Sequence, residues 1–216
     1  MESNINTPTP PKKTFGINVK KTEVVVGLFI ILYAFLMSAM EITSSNLNDK
    51  MMIAYNKMIS YTGWYQSKSI KQTLKESEVD YLEALMKTSD VSEEGLGDIK
   101  SKISQAKSKM LKYEAEKTEI LVGSSKVPRQ YWAQDLNGEM GKIIGINEWE
   151  ESTRKYDQAI NKIDVSILLF QIGIILGAVC IITYGNPKIQ RLLLMSLTVF
   201  GVLGVVYAII GYSLIP

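Results

Sequence analysis

The chain has 216 residues and a formal net charge of +2, so it lacks the positive excess with which a protein neutralises a nucleic-acid backbone. It contains no histidine and one cysteine, Cys180. Imidazole- and thiolate-based metal sites, Ser-His-Asp or Cys-His catalysis and intrachain disulfides therefore lack their parts, and no cofactor is expected.

In chain order, residues 1–21 form a polar, basic segment with Pro8, Pro10 and Pro11, and this composition predicts a disordered tail. Three apolar runs follow, uncharged over 24–40, 165–187 and 192–216. They predict transmembrane helices over 22–40, 165–184 and 192–214, the first near the short limit, since a bilayer core of about 30 Å takes roughly 20 apolar residues at the helical rise. The first run ends on Ser38-Ala39-Met40, which is not a small-x-small cleavage site, so it reads as a retained anchor. The tail carries Lys12, Lys13, Lys20 and Lys21, and the short loop 185–191 carries Lys188 and Arg191. Three spans put these two basic segments on one side of the bilayer. The positive-inside rule makes that side cytoplasmic and the middle of the chain extracytoplasmic.

Residues 41–164 are water-compatible and nearly balanced in charge, with helical periodicity throughout. Ile70, Leu74, Ser77, Tyr81 and Ala84 recur at steps of three and four. So do Ile99, Ile103, Ala106, Met110, Tyr113 and Ile120, with Lys117 breaking the row. Trp149, Thr153, Tyr156, Ile160 and Ile163 repeat the pattern into the second span. Such rows predict helices packed side by side. A helix over 43–87 would rise about 65 Å, while 96–122 and 147–164 would return about 40 Å and about 27 Å. The expected fold is therefore an all-α membrane protein. Its three transmembrane helices carry a long antiparallel, coiled-coil-like helical hairpin between the first and second. Within the returning arm, residues 123–146 form an insert rich in glycine, with Pro128, Tyr131 and Trp132. Equal heights along the rod predict that Tyr131 or Trp132 packs against Trp64 and Tyr65.

The stretch Trp64-Tyr65-Gln66-Ser67-Lys68-Ser69-Ile70-Lys71 concentrates the candidate contacts. Ser60, Gly63 and Ser67 form a seam of small residues leading into Ile70, which suits a helix interface together with Trp64, Tyr65, Tyr131 and Trp132. Lys57, Lys68, Lys71 and Lys75 lie on a basic stripe with aromatics in its middle. That stripe reads either as an anion or partner contact, with ammonium groups on rings, or as a wet face whose lysine stems cover the rings. In the spans, the pairs Ala34–Ser38, Gly173–Gly177 and Gly204–Ala208 permit close helix packing, and Gln171 beside Phe170 is the most polar intramembrane residue. The acidic group Glu76, Glu78, Asp80 and Glu83 reads as a hydrated helix surface, and Gly138-Glu139-Met140-Gly141 lacks the lysine of a P-loop. No enzyme is expected.

The Trp64–Lys71 stretch resembles the W-x-Y-Q-A-K-S-I-K signature of a bacterial membrane family known as domain of unknown function 4337. Leu168-Leu169-Phe170-Gln171-Ile172 resembles the opening of that family's second span. The order of spans and helices also resembles that family over nearly the whole chain after the tail. The tail departs from the family's histidine- and acid-rich character, and the glycine-bearing insert elaborates a simpler coil. The resemblance implies a bacterial envelope protein and supplies no activity. It marks Trp64, Tyr65, Gln66, Lys68, Lys71, Phe170 and Gln171 as family contacts. Together with apolar and aromatic residues on several faces of the charged middle block, it leads to a functional expectation. That expectation is a non-enzymatic, homo-oligomeric protein of the bacterial inner membrane, acting as a scaffold or accessory subunit of an envelope complex. Its partners would be the lipid bilayer, copies of itself and another envelope protein. The alternative is an oligomeric channel or transport subunit, its pore lined by a span bearing Gln171.

Overall fold

The computed structural model describes residues 18–88, 92–133, 138–183 and 186–216, so residues 1–17 of the expected tail and residues 134–137 of the expected insert lie outside them. Among the described residues the chain is all helical. It consists of α1 (Asn18–Thr88), α2 (Glu93–Val122), two short 3-10 turns (Ser124–Lys126 and Arg129–Tyr131), α3 (Ile146–Ile182) and α4 (Pro187–Ser213). Three of the helices, α1, α3 and α4, are long and apolar enough to cross a membrane. Helix α1 already begins at Asn18, inside the expected tail, and α4 begins at Pro187, inside the expected loop 185–191. The physical reason at α4 is local. Proline suits the first helical position, where its missing N–H costs nothing, and Gln190 N donates to Asn186 O at 3.1 Å.

The chain divides into two compact units. One comprises Met1–Ser45 with Ala159–Ser213, the other Asn46–Gln158 with Leu214–Pro216. In the first, glycines of α3 and α4 make room for aromatic rings. Tyr33 of α1 packs with Phe170 and Leu197, all three buried, and its hydroxyl donates to Leu197 O at 2.8 Å. A Cβ on Gly173 would meet the Tyr33 ring at 2.8 Å, and one on Gly201 would collide with the Tyr33 hydroxyl. Gly204 admits the Phe170 ring in the same way, and Gly177 admits Ile30 and Leu197. These rings bring dispersion contacts to a setting where helix association cannot rely on expelling water. A second group of polar contacts in this unit joins Thr43 and Ser44 of α1 to α3 and α4. Ser44 Oγ donates to Asp164 Oδ1 at 2.8 Å. Thr43 Oγ1 donates to Ala39 O at 2.9 Å, which leaves the Tyr212 hydroxyl to donate to Thr43 Oγ1 at 2.8 Å.

In the second unit, α2 starts on Ser92, whose hydroxyl accepts from Gly95 N at 3.3 Å, with Glu93 and Glu94 in its first turn. Cap and acids satisfy free N–H groups and complement the helix dipole. The row from Ile99 to Ile120 faces inward, with Ala106 and Ile120 buried and the residues between them half-buried. Helix α1 does not present its expected row to the same core. Ile70, Leu74 and Tyr81 are 62%, 63% and 66% exposed. Burial instead follows Tyr61, Tyr65, Lys68, Gln72, Lys75 and Val79, again at steps of three and four.

Gly201→Ala should lower the apparent melting temperature in detergent, because the added Cβ would collide with the Tyr33 hydroxyl on a buried side chain that is bonded to Leu197 O. Gly97→Ala in α2, where a Cβ meets nothing within 4 Å, should stabilise the protein by about 0.5–1 kcal/mol through helix propensity alone. Thermal scans of the two variants beside the parent chain read both signs.

Candidate functional site

The second unit holds the densest arrangement of polar and aromatic side chains, and it is built around two glutamates of α2. Glu116 and Glu119 are both buried, Glu119 completely. A buried carboxylate has to be paired or hydrogen-bonded, and the two are satisfied differently.

Glu116 takes a cation from α1. Lys68 Nζ donates to Glu116 Oε2 at 2.6 Å, with the two side chains 16% and 9% exposed. The same ammonium lies 6.0 Å from the centroid of the Trp64 ring and 5.7 Å from that of Tyr113. One turn away in α2, Lys117 Nζ lies 5.6 Å from the Tyr65 centroid and pairs with Glu114 at 3.1 Å. Lys117, the break in the apolar row of α2, thus sits at an inward position because its charge rests on a ring and a carboxylate. The aromatic–lysine stretch of α1 and the α2 segment 113–117 form one cation–ring–carboxylate cluster.

Glu119 takes neutral donors from the insert. Its Oε1 accepts the Ser124 hydroxyl at 2.7 Å and its Oε2 accepts Ala133 N–H at 2.5 Å. Ser124 Oγ in turn accepts Ile143 N–H at 2.9 Å, and Ser124 N donates to Ile143 O at 2.9 Å. The carboxylate therefore ties together both arms of the insert. Charge-assisted bonds of this kind are about twice as strong as neutral ones, which offsets placing an anion in the unfavourable last turn of α2. Two backbones cross where Gly123, at φ 90°, passes Gly145. A Cβ on Gly145 would collide with Gly123 N and Val122 C.

Ala133 and Ile143 complete a core with Tyr61 and Ile120, and Trp64, Tyr65, Ile146 and Trp149 pack around it. Through Ala133 and Ile143 the insert thus contributes to the core against which Trp64 and Tyr65 pack. Trp132 turns over Gly141 instead, where φ is 75° and no Cβ would fit. Its Nε1 donates to Ser124 O at 3.1 Å and Val127 O at 3.2 Å, and Arg129 stacks on its ring at 5.5 Å. Tyr131 points outward, 46% exposed. It borders two shallow grooves of about 340 Å³ and about 300 Å³, both also lined by Leu111 and Ala115 of α2.

The remaining candidate residues are distributed as follows. Ser60, Gly63, Ser67 and Ile70 are exposed, as are Lys57 and Lys71. Lys75 pairs with Glu78 on its own helix. In the first unit, Phe170, Gly173, Gly177, Gly204 and Ala208 are buried, Ala34 is half-buried, and Ser38 and Gln171 are exposed. Among the described residues, no group of three or more His, Cys, Asp or Glu is placed to hold a metal. Sequence reasoning missed Glu116, Glu119, Ser124, Ala133 and Ile143. One signal was available: Glu116 falls three residues after Tyr113 and four before Ile120 of the buried α2 row, and Glu119 falls three residues after Glu116.

Comparison with known proteins gives one positive result. A protein-family model described as Domain of unknown function (DUF4337) matches residues 22–214. No curated protein and no solved structure matches the chain.

Lys68→Leu should destabilise the second unit by about 3 kcal/mol, because it leaves Glu116 buried without its main cation. The double variant Lys68→Leu with Glu116→Leu should recover most of that loss, and a double-mutant cycle by chemical denaturation reads the coupling. Acid should act through a different set of carboxylates. A lysine or arginine hydrogen bond holds each of them below the usual range: Glu78 by Lys75, Glu83 by Lys107, Glu114 by Lys117 and then Gln72, and Glu151 by Arg154. A depressed carboxylate contributes stability above its unfolded pKa and loses it as pH falls through the folded one. Melting temperature should therefore change little between about pH 6 and pH 8, a range without histidine to titrate, and decline below about pH 5. Most of these groups are exposed, so the decline should be shallow and weaken in salt.

Proposed function

For a chain that belongs to the family of Domain of unknown function (DUF4337), we propose a non-enzymatic role as an integral membrane protein that assembles with copies of itself, a scaffold or accessory subunit of a bacterial envelope complex. The observation that carries this reading is the apolar surface of the second unit. Ile53, Ile59, Ile70, Leu74 and Leu111 are each at least half exposed on charged, water-compatible helices. Surface of this kind on a soluble unit marks a contact with another protein. The span of α3 adds a second support. The Gln171 side chain is exposed there and makes no hydrogen bond among the described residues. An amide facing hydrocarbon is stabilised by a partner on a neighbouring helix.

In this reading α1 and α2 form an antiparallel, coiled-coil-like hairpin. Its support is the reversed pairing of residues, Lys68 with Glu116 and Glu83 with Lys107, around Tyr61 with Ile120. The basic segments before α1 and at the start of α4 lie on the cytoplasmic face of the inner membrane, and the hairpin lies outside. Solution mass after extraction in a mild detergent tests the proposal. A multiple of the 24.2 kDa chain mass, or a stoichiometric complex, is the expected result. A strict monomer with nothing bound would sink it.

A further inference from the structure

Helix α1 carries a second row with coiled-coil spacing, on the side opposite the one that packs inside the chain. Successive residues turn by about 100°, so Gly63 stands about 200° from buried Tyr61. Starting at Ile53 and stepping alternately by three and four, this outer row passes through Gly63, Ile70 and Leu74 to Tyr81, and every position on it is exposed. No position on it is charged, although α1 holds seven charged residues between Ile53 and Tyr81. In its middle the residues are small, Ser60, Gly63 and Ser67, and a Cβ on Gly63 would meet nothing within 4 Å. In its upper half they are Ile70, Leu74 and Tyr81.

The geometry points to this outer row as a self-complementary seam, on which α1 of a second copy packs parallel and in register. The inference rests on the self-assembly reading above and names the surface that performs it. Three features select a second copy as the occupant. First, a two-fold parallel contact brings each seam residue onto its own counterpart, so any charge on the row would face a like charge, and there is none. Second, the flanking positions are compatible with themselves. In a parallel pair Gln66 would face Lys71 of the second copy and Thr73 would face Glu78, with no like charges opposed. Third, α1 is continuous from Asn18 to Thr88 and includes an apolar span. Copies inserted in one orientation therefore present their outer rows in the same direction, at the same number of residues from that span. Asn56 lies on the row, where its side-chain amide would meet that of its counterpart in a parallel in-register pair.

Disulfide trapping tests the seam in the full-length protein in membranes. Cys180→Ala supplies the background, and Ile70→Cys, Leu74→Cys and Glu76→Cys are compared within it. All three sites are exposed, so the substitutions leave the intrachain core untouched. A parallel in-register pair brings seam Cα atoms into the 4.4–6.8 Å range that a disulfide spans, so Ile70→Cys and Leu74→Cys should give about tenfold more dimer than Glu76→Cys. Equal linking at Glu76→Cys, or linking of the seam to a protein of different mass, would overturn the inference. An oligomeric mass in detergent without seam links would overturn the seam and leave the assembly reading standing. A monomer without links would remove both.

Discussion

Helix α1 has to serve two faces at once, and the period of the α-helix decides which residues serve which. Positions three and four apart share a face, so one set of residues, Tyr61, Tyr65, Lys68, Gln72 and Val79, is committed to the interior of the second unit. The opposite set, which includes Gly63, Ile70, Leu74 and Tyr81, is committed away from it. Neither set can move to the other face without a slip of about half a turn, and such a slip would separate Lys68 from Glu116. The contacts of the second unit and the character of its free surface both follow from that commitment.

The charges inside this unit act on register more than on net stability. Replacing a buried ion pair with apolar groups is often neutral, whereas losing one member is costly. Lys68–Glu116 and Lys117 over Tyr65 therefore penalise any shift of α1 along α2 more than they favour the aligned state. Glu119 does the corresponding work for the insert. Its two oxygens hold Ser124 and Ala133, and Ser124 passes the connection to Ile143. A segment whose glycines and proline read as an interruption is in this way fastened to the end of α2. The crossing of Gly123 and Gly145 allows the two backbones to approach closely enough for those bonds.

The first unit contains the segments apolar enough to cross a membrane. In hydrocarbon, apolar side chains gain little by leaving their surroundings, and contact quality decides helix association. Glycines at 173, 177, 201 and 204 accept the side chains of Tyr33, Ile30 and Phe170. One hydroxyl, that of Tyr33, finds a backbone carbonyl. Small-residue pairs in the spans are thus partners for large residues of the same chain. Ser38 and Gln171 remain on the exposed surface of this unit.

Much of this organisation was legible in the residues alone. Uncharged runs of sufficient length mark three helices able to cross a membrane, because the hydrocarbon thickness sets one requirement for every span. The helical class of the middle block follows from its period, and family membership from its motifs. The tertiary structure decided matters that period cannot. A row of Ile70, Leu74 and Tyr81 and a row of Tyr61, Lys68 and Val79 have the same spacing on the same helix. Pattern alone favoured the apolar row as the packed one. The structure buries the other, because Lys68 meets both a carboxylate and two rings there, and those partners lie 45 or more positions away in the chain or on a neighbouring turn. The insert shows the same limit. Its composition announces a break in the helix, but the hold of Glu119 on Ser124 and Ala133 depends on distances between residues that share no period, and only folding brings them together.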